Sequence, residues 1–464
     1  TATISVGGVK ITNGTSYLQT FSNGAGVNGT WAAKYPGALG NSLTIAMADS
    51  ATFTGWTYAS EFDSAPDVGE VHVIVVTADD KITGAAGTVL EKFAYLSKAS
   101  DAQKSDGTNN YYKNVINSRS AWIWWMDHPT AGTNWGSAKG TTFTTLSSPT
   151  SDTLSGGTDI YTTTDGQKMT AYALFQNSEA YDISLVLAGK ASKDVANYII
   201  GSVCEPANGV NSGRGDCVAF ISPESITTGD VIVGSDSEQI TATNAYRNAL
   251  TSSSYAVLDS GYKYQYDRYN DKYRWVPLNG DIAGLCARTD YTNDPWWSPG
   301  GLNRGQIKNV VKLAVNPTKA QRDLLYKNGV NPVVTFPGEG TVLFGDKTLL
   351  AKPSAFDRIN VRRLFIVMEK AIATAAKYQL FEFNDSFTRA QFRNLVEPFL
   401  RDVQGRRGII DFVVKCDESN NTGEVIDRNE FVADIFVKPT RSINFITLNF
   451  VAARSSIAFS EIGG

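Results

Sequence analysis

Residues 260–304 read SGYKYQYDRYNDKYRWVPLNGDIAGLCARTDYTNDPWWSPGGLNR, the densest mixture of aromatic and charged side chains in the chain. Tyr262, Tyr264 and Tyr266 alternate with Lys263, Gln265 and Asp267, the period of a half-buried strand. Residues 268–271 are turn-like, and Tyr273 and Trp275 resume the alternation, which predicts a β-hairpin. Asn279 or Asp281 is placed to cap a short helix whose Ile282, Leu285 and Cys286 share one face. Residues 296–301, WWSPGG, fit no regular structure. An aromatic patch of this kind serves either a binding cleft or an assembly surface.

Downstream, residues 305–315 have the spacing of an amphipathic helix, and Asn316-Pro317 starts another that Gly329 stops. The strongest helix covers residues 359–377, with Val361, Leu364, Phe365, Met368, Ile372 and Ala375 on one stripe. Residues 388–403 repeat the pattern, and Pro398 inside them predicts a kink. Three strands follow. Ile410, Phe412, Val414 and Cys416 alternate with polar residues, as do Phe431, Ala433, Ile435 and Val437; residues 443–451 are apolar on both faces. A strand of that last kind needs cover on both sides.

Upstream, residues 183–188 and 216–222 are apolar strand candidates. Between them lies a helix over 192–204 capped by Ser192, and a helix over 169–177 precedes the pair. Strand, helix, strand at this spacing predicts a parallel βαβ unit. Residues 129–166, rich in Thr, Ser and Gly, read as a long loop with a domain boundary near 154–157. Before it the chain is mostly β, with strands expected over 43–47, 70–77 and 120–126.

A chain of 464 residues exceeds one hydrophobic core and predicts two to four domains. A formal net charge of −4 gives no reason to expect nucleic acid as a ligand. No run of about eighteen apolar residues offers a membrane span. The four cysteines, Cys204, Cys217, Cys286 and Cys416, lack zinc-site spacing and read as buried thiols. The opening TATISVGGVK has neither an initiator Met nor a signal-like apolar core, so the chain is expected to be incomplete at its N-terminus.

Catalytic and cofactor motifs fare poorly. His72 and His128 are the two histidines, neither beside a nucleophile elbow, and both are expected to be structural or solvent-facing. Residues 340–348, GTVLFGDKT, imitate a phosphate loop, but Asp346 interrupts the required Gly-Lys-Thr and the apolar interior reads as strand. Residues 417–427 look like a calcium loop, yet Thr422 and Arg428 occupy the positions that need Gly and Glu. Arg214-Gly215-Asp216 spells an integrin-type tripeptide by chance, just ahead of an apolar strand. No catalytic, cofactor-binding or metal-ligating residue is therefore assigned. Arg389, Arg393, Arg401, Arg406 and Arg407 form a basic cluster that reads as a solvated helix face or as a contact for an acidic partner surface. The Tyr/Trp patch leaves open an alternative, a carbohydrate-binding or carbohydrate-active protein.

Residues 262–290, YKYQYDRYNDKYRWVPLNGDIAGLCARTD, and residues 298–307, SPGGLNRGQI, resemble the tail sheath proteins of T-even-type contractile bacteriophages. The resemblance continues through LFGDKT at 343–348, FDRINVRRLF at 356–365, VIDRNEFVA at 425–433 and RSINFITLNFVA at 441–452. It is weaker in YPGALGN at 35–41 and LSGG at 154–157.

The resemblance implies a non-enzymatic α+β / α/β multidomain protein without cofactors. It implies a β-rich outer domain over 1–153, incomplete at its N-terminus, a middle sheath domain over 154–320 and an inner domain over 321–464. It further implies hexameric rings stacked helically on a tail tube protein, bounded by baseplate and tail terminator proteins, in a virion assembled in the bacterial host cytoplasm. Contraction would drive the tube through the host envelope for genome ejection. Ile443, Asn444, Phe445, Ile446, Thr447, Leu448, Asn449, Phe450 and Val451 would form a subunit-linking strand by β-augmentation. The five arginines would face the tube. Neither nucleic acid nor membrane insertion enters this reading.

Overall fold

The computed structural model describes residues 9–24, 29–129, 134–209, 211–228 and 231–444. The chain folds as two compact units, Thr1–Thr163 and Thr164–Gly464, mixed in α and β content throughout.

The first unit is built on a four-stranded antiparallel sheet, ordered Val89–Ser97, Glu70–Thr77, Leu43–Asp49, Thr150–Thr153. Its two central strands are buried on both faces, which is why both are β-branched or apolar along nearly their whole length. The fourth strand overturns part of the long loop expected over 129–166. Thr150–Thr153 has no apolar alternation to betray it, because it is a polar edge strand; the Thr44 and Thr153 hydroxyls are 2.8 Å apart across the pairing. Trp31, Tyr112, Trp125 and Trp135 fill the core beside this sheet. Lys98 and Asp49, both essentially buried, pair at 2.8 Å; Asp49 also accepts the Leu146 amide and the Thr52 hydroxyl.

Both histidines are structural, as expected. His72 is buried, its Nδ1 accepting the Tyr95 amide and its Nε2 lying 2.9 Å from the Ser64 carbonyl oxygen. His128 Nδ1 lies 2.6 Å from the Tyr112 hydroxyl. Burial holds both imidazoles below their ordinary pKa.

The second unit carries a four-stranded parallel sheet in the order Val330–Asn331, Ala256–Asp259, Val218–Ile221, Leu185–Leu187. The predicted βαβ unit is its Leu185–Leu187 and Val218–Ile221 pair. Ser192 caps the connecting helix by accepting the Val195 amide, and the helix continues as a π-turn over Ile199–Cys204. Because Val330–Asn331 completes the sheet, this core runs across residue 320. Cys204, Cys217, Cys286 and Cys416 are all buried free thiols. Arg214 pairs with Asp216 at 2.5 Å and donates to the Phe175 and Tyr181 carbonyls, so that tripeptide is an internal brace.

The hairpin forms as read, Tyr262–Asp267 against Lys272–Pro277, with Tyr264 opposite Trp275 and Tyr266 opposite Tyr273. The helix after it, Asn279–Thr292, has Leu278 at its N-cap, which corrects the expected Asn279 or Asp281 cap. Asn279 is buried and donates instead to the Gly189 carbonyl.

Residues 305–315 are not a helix. Val311 and Ala314 give their amides to the Tyr264 and Tyr262 carbonyls, and Lys312–Leu313 pairs with the hairpin edge. A sheet edge within reach outcompetes a helix of eleven residues with little propensity of its own. Thr318, two residues after Asn316, forms the capping box of Lys319–Lys327, and Gly329 follows with φ +83° as expected.

Ile359–Lys377 and Ser386–Gly405 pack with the antiparallel pair Ile409–Lys415 and Asp434–Pro439 around a further core that includes Trp296, Leu364, Met368 and Phe392. A register shift between Ile409 and Asp411 turns Ile410 outward, against the simple alternation read from sequence. Residues 417–427 form a turn followed by the short helix Gly423–Asp427.

Candidate functional site

The two stretches singled out by sequence, residues 296–304 and the segment leading to 443–451, meet at one carboxylate. Asp346 follows the Gly340–Leu343 strand, and its position is fixed through its neighbours. Asn331 accepts the Lys347 amide at 2.7 Å and donates to the Leu258 and Lys347 carbonyls, stitching this segment to the parallel sheet. A Cβ at Gly345 would lie 2.8 Å from Asn331 Oδ1, so only glycine allows that approach. The Asp346 carbonyl then accepts the Ile359 amide, anchoring the start of the Ile359–Lys377 helix.

Asp346 is 3% exposed, and both of its side-chain oxygens are used. Oδ2 accepts the Ser442 hydroxyl at 2.5 Å and the Ser298 hydroxyl at 3.3 Å. Oδ1 accepts the Tyr326 hydroxyl at 3.0 Å and the Asn444 amide at 2.8 Å, while Arg358 Nε lies 3.8 Å away. Burial, with the Asp346 charge beside it, pushes the Tyr326 phenol well above its ordinary pKa and keeps it a donor. Asn360 adds bonds to the Trp296 and Thr440 carbonyls, each 3.4 Å long. Residues 440–444 are thus tied to the body by a buried, charge-assisted network. Phe445, Ile446, Thr447, Leu448, Asn449, Phe450 and Val451 of the expected linking strand lie outside the described residues.

Around this hub opens a cavity of about 840 Å³, lined by the 296–304 loop, the Lys319–Lys327 helix, Phe344 and residues 440–444. Arg304 and Arg407 lie over the Trp297 ring at 5.1 and 5.3 Å, and Arg322 over Phe344 at 5.8 Å. Arg304 also donates to the Ser298 carbonyl, which folds the loop back on itself.

The basic cluster divides in two. Arg389 is buried and donates to Asn384, and Arg393 donates to the Cys416 carbonyl; both hold neighbouring turns. Arg401 pairs with Glu397 at 3.2 Å, Arg406 pairs with Asp294, and Arg407 is exposed. The hairpin rings stack mainly on each other, Tyr264 on Tyr273 at 5.5 Å and on Trp275 at 4.8 Å.

The residue missed by sequence reading was Asp346 itself, noted there for breaking a phosphate loop and within LFGDKT but given no role. Its one signal was a carboxylate placed directly after an apolar strand. Among the described residues, no group of three or more potential ligands for a metal ion occurs, and no helix is long and apolar enough to cross a membrane.

The phage tail sheath protein central domain matches residues 209–349, and the phage tail sheath C-terminal domain matches residues 351–453. The tail sheath protein of Vibrio phage KVP40 is 49% identical over 319 residues, which is 67% of this chain and 47% of that protein. The tail sheath protein of Salmonella phage ViI is 33% identical over an alignment covering 93% of this chain and 79% of the relative. The chain belongs to the phage tail sheath family. Over 64% of this chain and 77% of the other, the fold is similar to that of the helical sheath of the anti-feeding prophage in the contracted state, with a TM-score of 0.50 at 17% identity. The chain spans about half the length of the Vibrio phage relative.

Proposed function

We propose that this sheath-family chain is a structural, non-catalytic subunit of a contractile bacteriophage tail, polymerising as stacked hexameric rings around a tail tube. The sheath contracts to drive the tube through the host envelope for genome ejection. The observation that carries this reading is the Asp346 network, which fixes residues 440–444 to a rigid body at the root of the sequence expected to link subunits. A tether that must hold while domains rotate needs such an anchor, and a buried carboxylate with four polar donors supplies one.

In this proposal residues 443–451 add a strand to a neighbouring subunit. Residues 1–153 form the outer domain, and 154–320 and 321–464 the middle and inner parts; the core of the parallel sheet runs across residue 320 and so joins the last two. Arg401, Arg406 and Arg407, whose head groups are exposed, face the tube, and Arg389 and Arg393 support them from within. Baseplate and tail terminator proteins bound the polymer in the virion, assembled in the host cytoplasm. The energy of contraction is stored at assembly in a metastable extended lattice and released on rearrangement.

Electron microscopy of the full-length protein tests the reading. Striated tubes of hexameric rings are expected, and monodisperse monomers of the intact chain would overturn it. Charge reversal at Arg401, Arg406 and Arg407 is expected to weaken assembly on tubes; unchanged assembly removes the tube-facing role.

A further inference from the structure

The turn joining the two long helices, residues 378–387, reads YQLFEFNDSF and is the most exposed aromatic segment among the described residues. Phe381 is fully exposed, Phe383 is 84% exposed and Phe387 74%. Leu380 and Tyr378 extend the same apolar surface. The segment also carries two exposed carboxylates, Glu382 and Asp385, and no basic residue. Exposed rings clustered in this way mark a docking surface.

The cavity beside Asp346 has the opposite chemistry. Arg304, Lys319, Arg322, Arg407 and Arg441 line it alongside the Trp297 and Phe344 rings, outnumbering the acidic Asp323 and Asp346, and both Asp346 oxygens are already hydrogen-bonded. Phe344, 46% exposed, meets Arg322 on one side and Phe336 at 5.4 Å on another, so the wall presents aromatic faces between guanidinium groups. Such a wall suits an acidic, aromatic insert, through ring stacking and carboxylate–guanidinium pairing.

The helix Ile359–Lys377 decides how the two can meet. Asn360 in its first turn lines the cavity, whereas Lys377 immediately precedes the aromatic turn. Nineteen residues at 1.5 Å each hold the two features about 28 Å apart. A rigid rod therefore prevents the turn from entering the cavity of its own chain. Contact between them is possible only from one copy to the next, and a contact between two different patches repeats head to tail into rings or helical stacks.

We propose that the 378–387 turn of one copy inserts into the Asp346-side cavity of a second copy, as a heterologous contact of the polymer. This rests on the sheath reading above and adds to the strand-linking arm a contact between globular surfaces. Glu382 faces Lys319 and Arg322 across it, and Phe381 and Phe383 lie against Trp297 and Phe344.

The test uses the full-length protein, polymerised and measured by sedimentation and electron microscopy. Glu382→Lys, and separately Lys319→Glu with Arg322→Glu, are each expected to raise the concentration needed for polymerisation about tenfold. Combining the two sets is expected to restore most of the loss, which misfolding of either variant cannot imitate. Mixing a Phe383→Cys copy with a Phe344→Cys copy is expected to give a disulfide between chains under mild oxidation, absent when either copy is alone. Normal polymerisation of the charge variants, no rescue by the combination, or loss of tube binding with intact self-assembly each overturns the proposal and leaves the sheath reading standing. Failure of the unaltered full-length protein to polymerise overturns the sheath reading itself.

Discussion

The Ser442 hydroxyl donates to Asp346 Oδ2 at 2.5 Å, across ninety-six residues of sequence. Two residues later Asn444 reaches the other oxygen of the same carboxylate. Asp346→Ala removes the shared acceptor of Ser298, Tyr326, Ser442 and Asn444. The expected cost is about 1–3 kcal/mol, the penalty for buried donors left unpaired. Urea denaturation measures that loss, and hydrogen exchange is expected to show residues 440–444 opening first. Asn444→Ala, at an exposed position, is expected to loosen the same segment with little effect on global stability.

Lys98 is the partner of Asp49 inside the first unit, and neither side chain reaches water. Burial presses the Lys98 ammonium below its ordinary pKa. The Asp49 carboxyl, which burial alone would raise, is held below its own by Lys98 and the Leu146 amide. Lys98→Met leaves a buried carboxylate uncompensated, and a loss of about 3–5 kcal/mol is expected in thermal or urea unfolding of the first unit. The double variant with Asp49→Leu is expected to recover much of it.

Asp259 gives a pH dependence of definite sign. It is fully buried at the end of the Ala256–Asp259 strand, accepting the Ser222 hydroxyl at 2.7 Å and the Gly261 amide at 2.8 Å. Burial pushes its carboxyl up to about 8. With the folded value above the unfolded one, its contribution is fully present below the unfolded pKa and declines until pH passes about 8. Asp259→Asn is expected to flatten that decline and to be more stable than the parent at pH 8. A steeper fall for the variant would reverse the assignment.

Gly305 sits where two backbones nearly touch. A Cβ there would lie 2.7 Å from the Gly301 carbonyl oxygen and 2.9 Å from that of Leu343. Gly305→Ala is therefore expected to cost about 1–3 kcal/mol, because backbone atoms cannot rotate aside as a side chain would. Gly280→Ala, inside the Asn279–Thr292 helix with open space at its Cβ, serves as the control and is expected to be unchanged or up to about 1 kcal/mol more stable in the same unfolding assay.

Much of the fold was legible because it obeys local rules. Glu70–Thr77 and Ile359–Lys377 were read to the residue, since one is a β-branched run and the other a clean apolar stripe. The readings that failed depended on distant partners. Thr150–Thr153 is a strand only because Leu43–Asp49 offers an edge, and residues 305–315 lose their helix to the hairpin's carbonyls. The site was half visible. The 296–304 loop and the 443–451 stretch stood out by composition, but nothing local says that they share a carboxylate, because Asp346 lies far from both in sequence. The arginines mislead for a related reason: periodicity places Arg389 and Arg393 on one helix face without revealing that Asn384 and the Cys416 carbonyl cover that face.

The helix that begins on the Asp346 carbonyl is also a lever. Its fulcrum is the hub that holds residues 440–444, and its far end, packed with the second long helix, carries the aromatic turn. A tilt of about 10° at the hub sweeps that end through about 5 Å, close to one helical turn. In the proposed polymer, tension on the tether at Ser442 and Asn444 would thereby become a displacement of the turn by about one helical turn.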